Sequence, residues 1–146
     1  MVYDTFGSGG TAYGVREVAA PHSGSYVYEL AWTASLSSVD LQLSQQVYVA
    51  NPGSPHKLSF WFYSSDNTQN CYGLLQVSPA GTGSAAEAHF QYFPEDEWTY
   101  VESEQAFNPP GTEALVYFSV GCASSEDDPS AGNTIWIDDI SFARVE

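Results

Sequence analysis

Thr134-Ile135-Trp136-Ile137-Asp138-Asp139-Ile140-Ser141-Phe142, close to the C-terminal end, reads as a β-strand. It is rich in β-branched and aromatic residues and contains neither Pro nor Gly. With a period of two, Trp136, Asp138, Ile140 and Phe142 share one face. Ile135, Ile137, Asp139 and Ser141 share the other. Whichever face meets the core, an aspartate travels with it. A buried carboxylate is costly unless it is paired, hydrogen-bonded or bound to a metal. The chain has 3 Lys and Arg in all, so cationic partners are scarce and a hard oxygen ligand suits calcium. The alternative is a strand-end carboxylate that is solvated or accepts backbone N–H groups.

The rest of the chain repeats this pattern. Ser25 to Trp32 alternates, with Tyr26, Tyr28, Leu30 and Trp32 against Val27, Glu29 and Ala31. Leu41, Leu43, Val47 and Val49 fall on one face, with Gln45 among them, and a core-facing glutamine must find partners. Leu58, Phe60 and Phe62 oppose Ser59, Trp61 and Tyr63 in the strongest strand. Weaker segments are Val15–Val18, Cys71–Val77, Ala86–Phe93, Trp98–Gln105 and Leu115–Cys122. Loops rich in Gly, Pro, Ser and Asn separate them. No window carries a helical period. About eight such strands predict an all-β fold, an antiparallel sandwich of two sheets. A length of 146 residues, without an internal repeat or linker, suits one domain over 1–146.

A net charge of −15, with 18 acidic residues spread along the chain, argues against nucleic acid or an anionic membrane as partner. No run approaches a membrane span. No apolar leader follows Met1, which fits a mature domain with an added Met or an intracellular chain. Low Lys content and Ser/Thr/Gly/Asn-rich loops fit a secreted protein. Cys71 and Cys122 are the 2 cysteines. Whether they pair is open. A disulfide between them would close a long loop, worth about 4 kcal/mol in the chain-entropy model.

The order of motifs resembles a known family. Ser23-Gly24-Ser25-Tyr26 comes first, then Leu43-Ser44-Gln45, the Pro52-Gly53 loop and Leu58-Ser59-Phe60-Trp61. Trp98 before Tyr100, and Trp136 through Phe142, complete the series. This arrangement, from about Gly10 to Phe142, is similar to carbohydrate-binding modules of families 4, 9 and 22, most of all those in fungal secreted proteins. The resemblance implies a galactose-binding-like jelly roll, a sugar ligand and a disulfide between Cys71 and Cys122. It also implies a structural calcium at Asp138, with Asp4 and Ser25 as further candidates. The family's opening strand reads Asn-x-x-Phe-Glu, and Tyr3-Asp4-Thr5-Phe6 matches it only in part, so the first strand is expected to be altered or missing.

Sugars present flat apolar ring faces fringed by hydroxyls. A site for them needs aromatic platforms beside side chains that hydrogen-bond in pairs. The second faces of the central strands carry this mixture at Trp61, Tyr63, Tyr72, Gln76 and Tyr117, with His89 and Gln91 as additions. If those strands are neighbours, one sheet face collects them. A Cys71–Cys122 bond would make two of those strands close and aim Tyr72 and Tyr117 the same way. Trp98 and Trp136 are assigned to core or rim packing.

Catalysis is not expected. Glu95-Asp96-Glu97 reads as a solvated turn and not as the facing carboxylates of a glycosidase. His22, His56 and His89 sit in or beside loop-like sequence, without a Gly-x-Ser-x-Gly elbow. Two cysteines make no zinc motif. The expected function is a non-catalytic extracellular module that binds a cell-wall polysaccharide or oligosaccharide on an aromatic sheet face, attached to a catalytic domain in a longer parent. The competing expectation is a structural or adhesion domain with a protein partner and no sugar site.

Overall fold

The structure is a computed structural model. It describes residues 2–6, 11–32, 38–65, 71–79, 86–90, 96–123 and 133–146. Side chains are described over 16–31, 44–65, 96–117 and 134–146, and at Leu74, Gln76, Val77 and Ser78.

The strands are β1 (Val2–Phe6), β2 (Thr11–Glu17), β3 (Tyr26–Trp32), β4 (Ser38–Tyr48) and β5 (His56–Ser64). Then follow β6 (Cys71–Pro79), β7 (Ala86–Phe90), β8 (Thr99–Glu102), β9 (Glu113–Ala123) and β10 (Asn133–Arg144). No helix occurs among the described residues. Two five-stranded sheets form, in the orders β1-β4-β9-β6-β7 and β2-β3-β10-β5-β8. Every strand pair is antiparallel. The expected antiparallel jelly-roll sandwich is therefore present. Its opening strand is present too: Val2–Phe6 pairs with β4, from Val2 opposite Ser44 to Phe6 opposite Asp40.

The core lies between the sheets. Strand β5 alternates buried and half-buried along its whole length, with Leu58, Phe60 and Phe62 buried. Ile135 and Ile137 of β10 and Leu30 of β3 join them from the same sheet. Val77 of β6 and Ala114 and Val116 of β9 meet them from the other. Burying a large apolar side chain stabilises by about 1.5–3 kcal/mol, so these alternating sets drive the two layers together. Gln45 departs from expectation: it is exposed and needs no buried partner.

The aspartate problem of β10 is solved by a bulge. Asp138 lies opposite Trp61, but Ser141 lies opposite Ser59. Strand β10 thus carries one residue more than β5 at this point, which reverses the alternation. Asp139 adopts φ 50°, a left-handed conformation that Asp tolerates better than branched residues. The shift leaves Ile135 and Ile137 in the core, turns Asp139 to solvent, and packs Phe142 against the core from what would have been the Trp136 face.

Candidate functional site

The two sheets separate the residues that the sequence groups together. Trp61 and Tyr63 belong to β5 in the β2-β3-β10-β5-β8 sheet. Tyr72 and Gln76 of β6 and Tyr117 of β9 belong to the other sheet. The single face expected for all five does not exist. The reason is topological: β5 and β6 follow one another in sequence but lie in different layers.

On the outer face of the β5 sheet, the aromatic rings pack against one another. Tyr63 stacks on Trp136 at 4.7 Å between ring centroids and meets Trp98 at 5.5 Å. Trp61 stacks on His22 at 3.8 Å and meets Tyr100 at 5.3 Å. Their polar atoms are engaged locally. Trp136 Nε1 donates to Glu29, itself paired with Arg16, and Trp98 Nε1 donates to the Ala20 carbonyl. Tyr63 donates its hydroxyl to Asp96 at 2.7 Å, and that bond, with some burial, raises the phenol's pKa. Trp98 and Trp136 are thus rim packing, as expected, and Trp61 and Tyr63 join them.

A strap ahead of β3 covers part of this cluster and is pinned by the acidic pair of β10. The Ser23 N–H donates to Asp138 Oδ2 at 2.9 Å, and the Asp139 N–H donates to Asp138 Oδ1 at 2.8 Å. Asp139 accepts the Ser23 hydroxyl at 2.6 Å and His22 Nδ1 at 2.8 Å. The Ser23 hydroxyl, then the His22 bond, hold the Asp139 carboxyl below the usual carboxylate range. Hydrogen-bond donors thus face both carboxylates where a calcium shell needs further oxygen acceptors. No cluster of three or more His, Cys, Asp or Glu is placed to hold a metal among the described residues. Among the described residues, the groups that reach Asp138 and Asp139 are therefore donors and not the further oxygen ligands of a calcium cage. Ser25 is exposed, and Asp4 lies on β1 in the other sheet.

His22, Ser23 and Asp139 meet, yet they form no catalytic triad. The serine hydroxyl donates to the aspartate and not to the imidazole, so the imidazole is not placed as its general base. His56 is buried, with Nδ1 donating to the Ser54 carbonyl. Asp96 sits in the expected turn, at φ 54°.

The outer face of the β1-β4-β9-β6-β7 sheet has a different composition. Val77, Ala114 and Val116 are buried, so Gln76, Leu115 and Tyr117 stand on the outer side. Gln76 and Tyr117 are direct cross-strand partners, and Tyr117 faces Ser44 on its other flank. Gln76 and Tyr117 are half-buried, as are Ser44 and Leu74. Gln46 and Leu115 are partners and both exposed; Tyr48, at the end of β4, is 76% exposed. The register sets Glu87 beside Gln76 and His89 beside Leu74. Here a tyrosine ring lies beside an amide and a hydroxyl, which is the combination a sugar requires.

Of the expected residues, the fold therefore unites Gln76 and Tyr117, with Tyr72 on the same strand as Gln76. The side chains of Tyr72, His89, Cys71 and Cys122 lie outside the described set, as does all of Gln91. Cys71 and Cys122 are direct partners across β6 and β9. Antiparallel partners stand about 4.5–5.5 Å apart at Cα, within the range of a disulfide. Sequence reading missed Tyr48, Gln46 and Ser44. The signal was available: they alternate with Val47 and Val49, the core-facing members of β4.

No protein-family profile matches the chain, and no curated protein matches it. Solved structures do. TmCBM61 in complex with β-1,4-galactotriose is similar at a TM-score of 0.70 and 20% identity, over 98% of this chain and 88% of that one. A carbohydrate-binding module of the β-sandwich superfamily, studied for promiscuous specificity, has a TM-score of 0.64 at 12% identity. The match covers 97% of this chain and 57% of that one. The CBM22-1–GH10 modules of Clostridium thermocellum endo-1,4-β-D-xylanase 10B, complexed with xylohexaose, give 0.57 at 15% identity. There this chain is covered over 99% and spans 26% of that one. At these identities the likeness establishes the fold, a β-sandwich that this chain shares with carbohydrate-binding modules.

Proposed function

We propose that the chain is a non-catalytic carbohydrate-binding module that holds a cell-wall polysaccharide or oligosaccharide. Its site is the outer face of the β1-β4-β9-β6-β7 sheet. One observation carries the reading: Tyr117 stands directly between Ser44 and Gln76, so a ring face is flanked by hydrogen-bonding groups on both sides. The solved structures with bound galactotriose and xylohexaose support it by fold. The module is secreted, Cys71 and Cys122 form a cross-strand disulfide, and a catalytic domain is attached in the parent protein. Attachment would raise the local concentration of that enzyme on its substrate.

The test is retention on xylan, β-glucans, mannan, β-1,4-galactan, cellulose and chitin, run beside Tyr117→Ala and Gln76→Ala. Retention on one glycan is expected, weakened roughly tenfold by loss of the tyrosine stack and roughly fivefold by loss of the amide. Retention on none would favour the structural or adhesion role with a protein partner. Retention unchanged in both variants would move the site elsewhere.

A further inference from the structure

We infer that this face binds an internal stretch of a linear, uncharged polysaccharide, laid obliquely across β4, β9 and β6 and passing over Tyr48; the inference rests on the sugar-binding reading above. The register carries the argument. Tyr117 on β9 is the partner of Ser44 on β4 and of Gln76 on β6. Tyr48 lies four residues beyond Ser44, opposite Glu113. Tyr72 lies four residues before Gln76, opposite Gly121. These displacements run in opposite directions along β9, and β4 and β6 lie on its opposite sides. Tyr48, Tyr117 and Tyr72 therefore occupy a straight oblique line of register positions. Each step is four residues along and one strand across, about 14 Å, so the line is about 28 Å long. Such a line exceeds one sugar ring and follows an extended chain.

Polar positions flank the line. Gln46 is exposed and Gln76 half-buried, while Gln42 shares the register row of Ser119 and Leu74. Tyr48 is 76% exposed, which leaves its end of the line open for a polymer to continue.

Charge decides the class of polymer. The chain's 3 basic residues are Arg16, Lys57 and Arg144, on β2, β5 and β10, all in the other sheet. The strands of the binding sheet carry Asp4, Asp40, Glu87 and Glu113 and no Lys or Arg. A polyuronate would meet carboxylates with nothing to neutralise them, within a screening length of about 8–10 Å. A neutral glycan avoids that repulsion.

The experiment is titration calorimetry with the glycan retained above, from its disaccharide up to oligosaccharides long enough to pass from Tyr117 to Tyr48. The intact polymer and polygalacturonate are run alongside. Affinity is expected to rise with length. Tyr48→Ala should weaken the polymer roughly fivefold and leave the shortest bound oligosaccharide unchanged. Tyr26→Ala, exposed on the other sheet, should change neither, and polygalacturonate should not bind. Affinity already complete at a disaccharide, indifference of the polymer to Tyr48→Ala, or equal binding of polygalacturonate would overturn the inference while Tyr117→Ala still supports the site. Absence of binding to every glycan would overturn both.

Discussion

Replacing Trp61 separates the two faces of the sandwich. In Trp61→Ala the stack on His22 at 3.8 Å and the tilted contact with Tyr100 at 5.3 Å are both lost. Aromatic pairs of this kind contribute about 0.5–1.5 kcal/mol each beyond their burial, so about 2 kcal/mol disappears with the pair. The indole is half-buried, and losing that burial removes about 1–2 kcal/mol more. The sum, about 3–4 kcal/mol, corresponds to a fall in melting temperature of roughly 10 °C for a domain of this size. Glycan affinity should stay within about twofold of wild type, because β5 is not part of the proposed binding sheet. Thermal unfolding by circular dichroism and calorimetric titration on the same samples read both quantities. A variant that melts normally but no longer binds would refute the reasoning and return the site to the face of Trp61 and Tyr63.

The strap gives an acid prediction. Asp139 is held below the usual carboxylate pKa by the Ser23 hydroxyl and His22. Its stabilising contribution is therefore complete above about pH 3.9 and lost as pH falls through the lower folded value. Tryptophan fluorescence from the cluster should change in that acid range, and Ser23→Ala should move the change to higher pH; an unmoved transition would disconnect Ser23 from it. Two chemical tests need no variant. Chelator should leave the melting curve unchanged, since N–H donors already reach both Asp138 oxygens, and a lowered curve would place a metal there. The denatured, unreduced chain should show no free thiol, whereas two titratable thiols would exclude the disulfide.

Much of the sandwich was legible because burial imposes a period of two on each strand. Leu58, Phe60 and Phe62 announced a core face, and the structure buries all three. Periodicity says which residues share a strand face, but it does not say which of two sheets the strand joins. Trp61 and Tyr117 both point outward, and only the strand order shows that they do so from different layers. The bulge was equally hidden. A single extra residue at Asp139 leaves no compositional mark, yet it reverses the faces of β10 beyond it. The strap was invisible for a third reason. Its bonds join residues more than 100 positions apart, and an irregular segment has no period to read.

The separation of faces also explains why aromatic content alone misdirects the search for a site. Rings on the β5 sheet are committed to one another, and their polar atoms end on Glu29, Asp96 and Ala20. A ring with a ring on its face has that face already taken, so the densest aromatic cluster offers a ligand little. Among the described residues, the outer face of the other sheet sets Tyr48 and Tyr117 among amides and hydroxyls, and Tyr48 stands 76% exposed. A sugar needs stacking and paired hydrogen bonds at once, and this mixture is the reason the proposed site lies on that face. Under the proposed assignment, stability and recognition are carried by opposite surfaces of one core, and substitutions on one surface should be nearly additive with those on the other.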